Sequence, residues 1–286
     1  MDISSPGLTA LIVAVFGLTV GSFLNVVIHR LPRMIRSEWL QQCKTFLWQG
    51  VRFDEDESYD HINLVYPDSR CPYCHHEIRF YENIPVISYL FLRGRCTSCK
   101  TPISIQYPLV ELSTALLSAI VGWHYGFSWQ TLAALILTWG LVAHTVIDIH
   151  HQILPDNITY PLLWLGLLCN TSGLFTDPVS AIFGAAAGYL ILWTVFQIFR
   201  LATGKEGMGY GDFKLLALIG AWGGWQILPM TILLSSIMGA VIGALILLWQ
   251  KRGSQTPLPF GPYLAIAGWI ALLWGHDITQ TYLALF

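Results

Sequence analysis

Apolar runs long enough to span a membrane recur along this chain and limit its fold more than any other feature. A helix needs about 20 apolar residues to cross the hydrocarbon core of a bilayer. Eight runs at or near that length follow one another, at 8–28, 104–126, 129–148, 157–175, 178–200, 213–224, 227–250 and 261–277. The chain is 54% hydrophobic and 11% charged, whereas soluble domains carry about 25% charged residues. We therefore predict an all-α polytopic membrane protein with about eight transmembrane helices, the sixth of them short.

The distribution of positive charge predicts the orientation in the membrane. Of the 15 Lys and Arg residues, ten lie between the first two runs, three flank the loop between the fifth and sixth, and two follow the seventh. Alternating spans put these segments on one side, which the positive-inside rule makes the cytoplasm, so both termini are expected to be periplasmic. The run at 8–28 has no preceding basic segment or small-residue cleavage motif, so we expect a retained helix. The net charge of −2 gives no reason to expect a nucleic-acid partner.

The hydrophilic segment at 29–103 has few core-forming residues, so a small domain there needs a staple. Two C-x2-C pairs, separated by 21 residues, are formed by Cys71, Cys74, Cys96 and Cys99. Four thiolates in this arrangement are typical of a closed, structural zinc site. Disulfides or free thiols are the alternatives, and a reducing cytoplasm disfavours disulfides. His75 and His76 are expected to be bystanders, and Cys43 and Cys169 to be packing or incidental thiols.

Few acidic residues adjoin the apolar runs, and two of them fall at predicted helix ends. Asp148 closes the third run and Asp212 opens the sixth, so both are expected at the cytoplasmic edge of the membrane. Acids in membrane helices are costly and are therefore candidates for function. Two carboxylates that share a proton can activate a water and protonate a leaving amine, as in aspartic proteases. Gly209 and Gly211 leave room for an extended substrate backbone to approach Asp212.

These residues also have purely structural interpretations. Asp212 would serve as an ordinary helix N-cap, as would Asp156 in the turn before the fourth run. His144 lies one turn before Asp148, and packing in the bundle is favoured over a hydrogen bond to that carboxylate. A carrier that relays protons through Asp148 and Asp212 is another alternative, although no inverted repeat is evident.

Several longer motifs together resemble one protein family. They are GSFLNVVIHRLP, the paired CxxC motifs, NIPVISYLFLRGRC, YPLVE, IDIHHQILPDNITYPLLWLGLL, GMGYGDFKLLALIGAWGGW and PFGPYLA, and they extend over about residues 17–268. In these segments the chain is similar to the bacterial type IV prepilin peptidases of the bifunctional, zinc-containing kind, which are GxGD-type intramembrane aspartic proteases.

The resemblance implies an inner-membrane enzyme with two activities. Such an enzyme cleaves the basic leader peptide from type IV prepilins and type II secretion pseudopilins after a glycine, at the cytoplasmic membrane face. It then N-methylates the new N-terminal residue with S-adenosylmethionine. The resemblance makes Asp148 and Asp212 the catalytic pair, ties Gly94 and Arg95 to methyl transfer, and makes the four cysteines zinc ligands. A peptidase without methyltransferase activity, or a non-enzymatic assembly protein that docks a partner through the zinc insert, are the alternatives.

The predicted organisation has three parts. They are the first transmembrane helix at 1–28, a cytoplasmic zinc-binding insert at 29–103, and a transmembrane aspartic protease core at 104–286. Within the insert, the acidic run at 54–60 is interpreted as a solvated loop rather than a receptor for a basic substrate. For Arg30 and Arg33, anchoring to membrane lipid head groups and a more specific role are equally favoured.

Overall fold

The described part of the chain is helical. A computed structural model describes residues 5–46, 63–250 and 259–284. Its α-helices are α1 (Pro6–Phe46), α2 (Ile87–Phe91), α3 (Gln106–Tyr125), α4 (Trp129–His151), α5 (Asp156–Asn170), α6 (Pro178–Thr203), α7 (Tyr210–Gly223), α8 (Leu228–Gln250) and α9 (Gly261–Leu283). Short 3₁₀ segments occupy Phe80–Asn83 and Trp225–Ile227. Within these ranges the only β pairing consists of isolated bridges, so the all-α prediction is confirmed. The acidic run at 54–60 lies outside the described residues.

Every predicted apolar run coincides with one of the longer helices. Among the described residues, four helical segments are long and apolar enough to cross a membrane: Pro6–Phe46, Trp129–His151, Pro178–Thr203 and Trp225–Leu245. Helices α5 and α7 have 15 and 14 residues, fewer than the roughly 20 that span a bilayer without distortion. These four helices identify the chain as a membrane protein. The count of eight spans stays a prediction.

The chain forms two compact units. The N-terminal unit comprises Gly7–Ile120, and the C-terminal unit comprises Val121–Phe286 together with Met1–Pro6. Helix α1 continues without interruption to Phe46, through Pro32. The boundary predicted at residue 28 therefore falls inside a helix, because falling hydrophobicity marks where a chain leaves the membrane and not where its helix ends. The division into 1–28, 29–103 and 104–286 stays a prediction.

In the N-terminal unit, α1 lies close to α3. A Cβ built on Gly21 would come within 2.7 Å of the Glu111 Cα, and only glycine permits so close an approach. One turn further along α1, the buried Asn25 donates from Nδ2 to the Tyr107 carbonyl oxygen at 3.1 Å. These contacts fix the middle of α1 against the beginning of α3.

In the C-terminal unit, α7 is the central helix. It packs against α5, α6 and α9, and almost every residue after its first turn is buried. A Cβ on Gly184 of α6 would strike the Gly220 carbonyl oxygen, so glycine is required where α6 and α7 meet. At the far end of α7, the buried Asn170 donates to the carbonyl oxygens of Ala221 and Trp222 at 2.9 and 2.8 Å. These contacts satisfy buried carbonyls at the end of α7 that have no partner within the helix, and they fix its position along its own axis.

Candidate functional site

Asp148 lies in the last turn of α4, where the helix ends. The next turn closes at Gln152, which adopts a left-handed conformation with φ of 54° and donates its N–H to the Asp148 carbonyl oxygen at 2.9 Å. The Asp148 side chain is 5% exposed. Its carboxylate accepts a hydrogen bond from the Gly261 backbone N–H at the start of α9. The acid is therefore held by two elements and is not a loose side chain at the helix end.

Asp212 occupies the first turn of α7 but does not cap it. The N-cap residue is Gly209, so the interpretation of Asp212 as the N-cap is wrong. Asp212 is instead the third helical residue, and its carboxylate reaches back to accept a hydrogen bond from the Gly209 backbone N–H. The residue is only 7% exposed. In return, the Asp212 N–H donates to the Gly209 carbonyl oxygen at 3.2 Å. The two hydrogen bonds hold the carboxylate at the start of the helix without exposing it to water.

The structure brings the two carboxylates together inside the C-terminal unit. Asp148 and Asp212 are close enough for their charges to interact. Leu154, in the loop between α4 and α5, lies beside both: its side chain would be 2.9 Å from a Cβ on Gly211 and 3.2 Å from one on Gly261. Because two adjacent buried carboxylates repel each other, it is unfavourable for both to be ionised, and the pair holds one proton between them. One protonated and one ionised carboxyl group is what paired acid and base catalysis requires.

The two glycines predicted to admit substrate differ in their surroundings. A Cβ on Gly209 would meet only the Asp212 carboxylate, at 3.8 Å, so the space in front of that acid is open. The corresponding space at Gly211 is filled by the Leu154 side chain. Gly211 therefore allows a close contact within the protein, whereas Gly209 leaves an approach free.

Gly261 is a site residue that the sequence patterns above do not single out. Its N–H donates to Asp148, and a Cβ at this position would lie 2.5 Å from the Asp148 Oδ2. The motif PFGPYLA contains this glycine, and a glycine between two prolines and aromatic residues is the available signal. Its meaning depends on a contact with a residue distant in the sequence, which no local pattern reveals.

Two other polar residues near the acids have structural partners. Lys214 donates to both carboxylate oxygens of Asp156 at 2.8 Å, which ties the first turn of α7 to the start of α5. His144 is fully buried, with Nδ1 2.9 Å from the Gly140 carbonyl oxygen and Nε2 2.8 Å from the Thr159 Oγ1. The expectation that His144 packs in the bundle and does not hydrogen-bond Asp148 agrees with these contacts.

The four predicted metal ligands form one cluster in the N-terminal unit. Their sulfur atoms all lie within 4.8 Å of one another, and Cys71 Sγ to Cys99 Sγ is 3.7 Å while Cys74 Sγ to Cys96 Sγ is 3.9 Å. A tetrahedral ion with metal–sulfur bonds of about 2.3 Å places its sulfurs about 3.8 Å apart, whereas a disulfide needs about 2.05 Å. All four cysteines are free thiols, so the disulfide alternative is wrong and the cluster fits a metal ion. Cys43 and Cys169 are also free and lie outside it.

Hydrogen bonds favour ionisation at part of this cluster. The Cys99 thiol accepts from the Thr101 side chain and backbone N–H, and its pKa is lowered to about 6. At Cys74 a hydrogen bond from the His76 N–H lowers the pKa, but burial and the other three thiols outweigh it and raise the value to about 11. Four thiols this close do not all ionise without a cation among them, and metal binding supplies that charge.

The two C-x2-C loops are structural repeats of each other. They are the ten-residue segments SRCPYCHHEI and GRCTSCKTPI, which have the arginine, both cysteines and the final isoleucine at corresponding positions. In the first loop Cys71 N–H donates to the His76 carbonyl and Ile78 N–H to the Ser69 carbonyl; in the second, Cys96 pairs with Thr101 and Ile103 with Gly94 in the same way. The residue after each second cysteine is left-handed, with φ of 57° at His75 and 60° at Lys100. The cluster is therefore built twice from one local pattern.

The residues tied to methyl transfer lie at the start of the second loop. Gly94 is buried with a φ of 65°, and its N–H donates to the Tyr89 carbonyl oxygen at 2.8 Å. Arg95 is exposed and forms an isolated bridge with Pro102. Its counterpart in the first loop, Arg70, pairs with Glu77 at 2.7 Å. Pro102 of the second loop occupies the position that Glu77 has in the first loop. Arg95 therefore has no carboxylate at the position where Glu77 pairs with Arg70.

Comparison with known proteins relates both halves of the chain to one family. Residues 15–125 match the bacterial peptidase A24 N-terminal domain, and residues 135–244 match the type IV leader peptidase family. A protein of Stutzerimonas stutzeri described as a prepilin leader peptidase/N-methyltransferase is 59% identical over 280 residues, covering 98% of this chain and 96% of the relative. Relatives of the same description from Pseudomonas aeruginosa and Aeromonas hydrophila are 58% and 54% identical, covering 98% of this chain and 95% and 96% of their own lengths. No solved structure matches the chain.

Proposed function

Because the chain belongs to the type IV leader peptidase family, we propose that it is a bifunctional prepilin leader peptidase and N-methyltransferase. It cleaves the basic leader from type IV prepilins and type II secretion pseudopilins after a glycine, and then methylates the new N-terminal amine. The observation that carries this proposal is the full-length similarity to relatives described with both activities, joined to a pair of buried, interacting carboxylates.

Asp148 and Asp212 are assigned as the catalytic residues. Hydrolysis adds water across the scissile amide: one carboxylate takes a proton from the water as its oxygen attacks the carbonyl carbon, and the other carboxyl group donates a proton to the departing amine. The N–H groups of Gly261 and Gly209 hold the two carboxylates in position. Because both acids are largely buried, little water competes for these protons.

The approach to the acids suits an extended peptide. The space in front of Gly209 is open apart from the Asp212 carboxylate, so a substrate backbone enters from that side. Gly211 contributes indirectly, because its lack of a side chain lets Leu154 pack beside both acids. In this scheme Gly209 admits the substrate, and Gly211 shapes the wall against which the substrate lies.

Two cofactors complete the proposal. Zn²⁺ is held by Cys71, Cys74, Cys96 and Cys99 as a structural ion, since four protein ligands leave no open position for catalysis. S-adenosylmethionine supplies, when bound, an activated methyl group for the new N-terminal amine. Gly94 and Arg95 are assigned to methyl transfer through the family resemblance.

The enzyme is placed in the bacterial inner membrane as a multi-pass protein with eight spans and periplasmic termini. This placement rests on the four long apolar helices and on the distribution of Lys and Arg. A basic leader would stay at the cytoplasmic face while the hydrophobic pilin helix lies in lipid. The scissile bond would then lie at the membrane interface, where the ends of α4 and α7 carry the two acids.

The test is cleavage of a prepilin by Asp148→Asn and Asp212→Asn variants. Asparagine keeps the shape of the side chain but loses the ionisable group, so each single change is expected to lower the cleavage rate by about 10²- to 10⁴-fold. Mass spectrometry scores loss of the leader and gain of a methyl group on the same product. Asp277→Asn is the matched control, because Asp277 is an exposed acid of α9 away from the pair, and it is expected to cleave normally.

The two activities are separated with a pilin that lacks its leader. Methylation of this substrate is expected to persist in both Asp variants. Normal cleavage by either Asp variant would remove that carboxylate from the mechanism. Absence of methylation by the unaltered protein would leave a peptidase without transferase activity.

A further inference from the structure

A large cavity lies wholly within the N-terminal unit and is separate from the carboxylate pair. Its volume is about 530 Å³, within the range of about 300–1,000 Å³ that small-molecule sites occupy. Its wall is formed by the middle of α1, both cysteine loops, the segment around α2 and the first turns of α3. No residue of this wall has a part in the proposed peptide cleavage.

The wall contains a polar atom that lacks a partner. Asn25 lines the cavity, is 6% exposed, and its Oδ1 has no hydrogen-bond partner among the described residues. The Tyr107 carbonyl oxygen can only accept, so the amide nitrogen must face it and Oδ1 must point elsewhere. An unsatisfied buried acceptor is costly, so a small movement of the Asn25 side chain toward a ligand that carries N–H or O–H donors would satisfy it.

The wall also contains a strained turn. Val86 has a φ of 60° and a ψ of −45°, although β-branched residues strongly avoid positive φ. The buried Glu111 holds this turn, because its Oε2 accepts from the Val86 N–H at 2.7 Å. Strained backbone persists where the surroundings enforce it and concentrates at ligand sites.

The charges in the cavity wall have both signs. Arg30 and Arg33 contribute cations from α1, and Glu82 and Glu111 contribute acids from other segments of the wall. S-adenosylmethionine carries a carboxylate, an ammonium, a sulfonium and an adenine ring with N–H donors. A simple anion would match the arginines but offers no donor to Asn25. We propose that this cavity is the binding site for S-adenosylmethionine, an inference that rests on the methyltransferase half of the proposed function.

This site gives Gly94 a physical role. Neither Gly94 nor Arg95 lines the cavity, but Tyr89 does. A Cβ on Gly94 would lie 2.9 Å from the Tyr89 Cζ and hydroxyl oxygen, and the φ of 65° already disfavours a side chain. Gly94 is therefore a positioning residue that lets the Tyr89 ring take its place in the cavity wall.

The experiment measures binding of the full-length protein in detergent to sinefungin, a stable analogue of S-adenosylmethionine, by titration calorimetry. Val26→Trp places a large side chain in the cavity from α1 and is expected to weaken binding by at least about tenfold, equivalent to about 1.4 kcal/mol. Phe23→Trp is the matched control, because Phe23 is 53% exposed on the same helix and does not line the cavity. Zinc content and thermal melting establish that each variant is folded.

A second pair of variants tests the role of Gly94. Gly94→Ala is expected to weaken sinefungin binding several-fold by pushing Tyr89 from its position. Gly173→Ala is the control for backbone strain, because Gly173 has a similar φ of 68° but no atom lies within 4 Å of where its added Cβ would be. Unchanged affinity in Gly94→Ala would contradict the positioning role.

Direct photocrosslinking with methyl-labelled S-adenosylmethionine decides the case if Val26→Trp does not fold. Label in peptides from residues 22–33 or 69–111 supports the proposal, and label confined to residues 121–284 overturns it. A folded Val26→Trp variant that binds sinefungin as tightly as the parent also overturns the cavity assignment, while methylation by the parent would leave the proposed function intact. If the parent neither binds sinefungin nor methylates a leaderless pilin, the methyltransferase assignment itself fails.

Discussion

The two compact units build their sites in opposite ways. In the N-terminal unit the cysteine cluster is made from two copies of one ten-residue pattern, each closed by its own backbone hydrogen bonds. In the C-terminal unit the carboxylate pair is made from the end of α4, the start of α7 and the start of α9. The first site has the geometry to hold a metal ion, and the second depends on how helices pack. The two sites are therefore sensitive to different changes: the cysteine cluster to loss of a ligand atom, and the carboxylate pair to a single added methyl group.

The largest expected effect is loss of the metal ion. Structural zinc contributes an apparent free energy of about 10–16 kcal/mol, whereas a whole domain is stable by only about 5–15 kcal/mol. Changing all four cluster cysteines to serine should therefore unfold the insert, abolish zinc binding and expose the segment around residues 63–105 to proteases. Limited proteolysis and zinc analysis measure both results. Methylation should fall more than cleavage, because contacts inside the C-terminal unit hold the carboxylates.

Cys43→Ser combined with Cys169→Ser is the matched control. These thiols lie outside the cluster, so zinc content and protease resistance should not change. A four-serine variant with an intact, protease-resistant insert would show that packing and not metal holds this unit. Equal loss of cleavage and methylation would show that the two sites are not independent.

The second prediction concerns the added methyl group. Gly261→Ala would place a Cβ 2.5 Å from the Asp148 Oδ2, so the carboxylate must move from its Gly261 N–H donor. Misplacement of a reacting group by about 1 Å can cost about 100-fold in rate. We expect kcat for prepilin cleavage to fall by about this factor with little change in KM, while methylation of a leaderless pilin continues.

Gly275→Ala on the same helix provides the comparison. A Cβ there would meet its nearest neighbours at 3.7 to 3.9 Å, an ordinary contact distance, and alanine favours the helix by up to about 1 kcal/mol. Cleavage by this variant should be unaffected. If Gly261→Ala cleaves as fast as Gly275→Ala, then Gly261 does not position Asp148.

The same contrast explains how much the sequence could predict. The cysteine cluster could be assigned in full, because C-x2-C spacing fixes which sulfurs converge. Both acids could be found as rare carboxylates at the ends of apolar runs, but the N-cap interpretation of Asp212 was wrong because Gly209 takes that position. Gly261 and the cavity at Asn25 could not be found, since their meaning comes from contacts between segments far apart in the chain. The continuation of α1 to Phe46 could not be found either, because hydrophobicity indicates where the chain leaves the membrane and not where its helix ends.

The mildest change is predicted at Asp156, an acid outside the proposed catalytic pair. Asp156 lies near the same helix ends as Asp148 and Asp212, but both its oxygens accept from Lys214 at 2.8 Å. The side chains of Lys214 and Asp156 are 24% and 46% exposed, and ion pairs this accessible contribute about 0–1 kcal/mol. Asp156→Asn should therefore lower stability by no more than about 1 kcal/mol and change prepilin cleavage by less than about fivefold, the factor to which 1 kcal/mol corresponds.

Lys214→Met breaks the same pair from the other side and leaves the Asp156 carboxylate in place. If the pair serves only to fix the N-terminal part of α7 against α5, both variants should show the same small loss of thermal stability and of cleavage rate. The double variant should then lose no more than either single variant. A much larger cleavage loss in Asp156→Asn than in Lys214→Met would instead require the Asp156 carboxylate itself in the reaction. The pair of acids would then become a group of three, and the two-carboxylate mechanism would have to be revised.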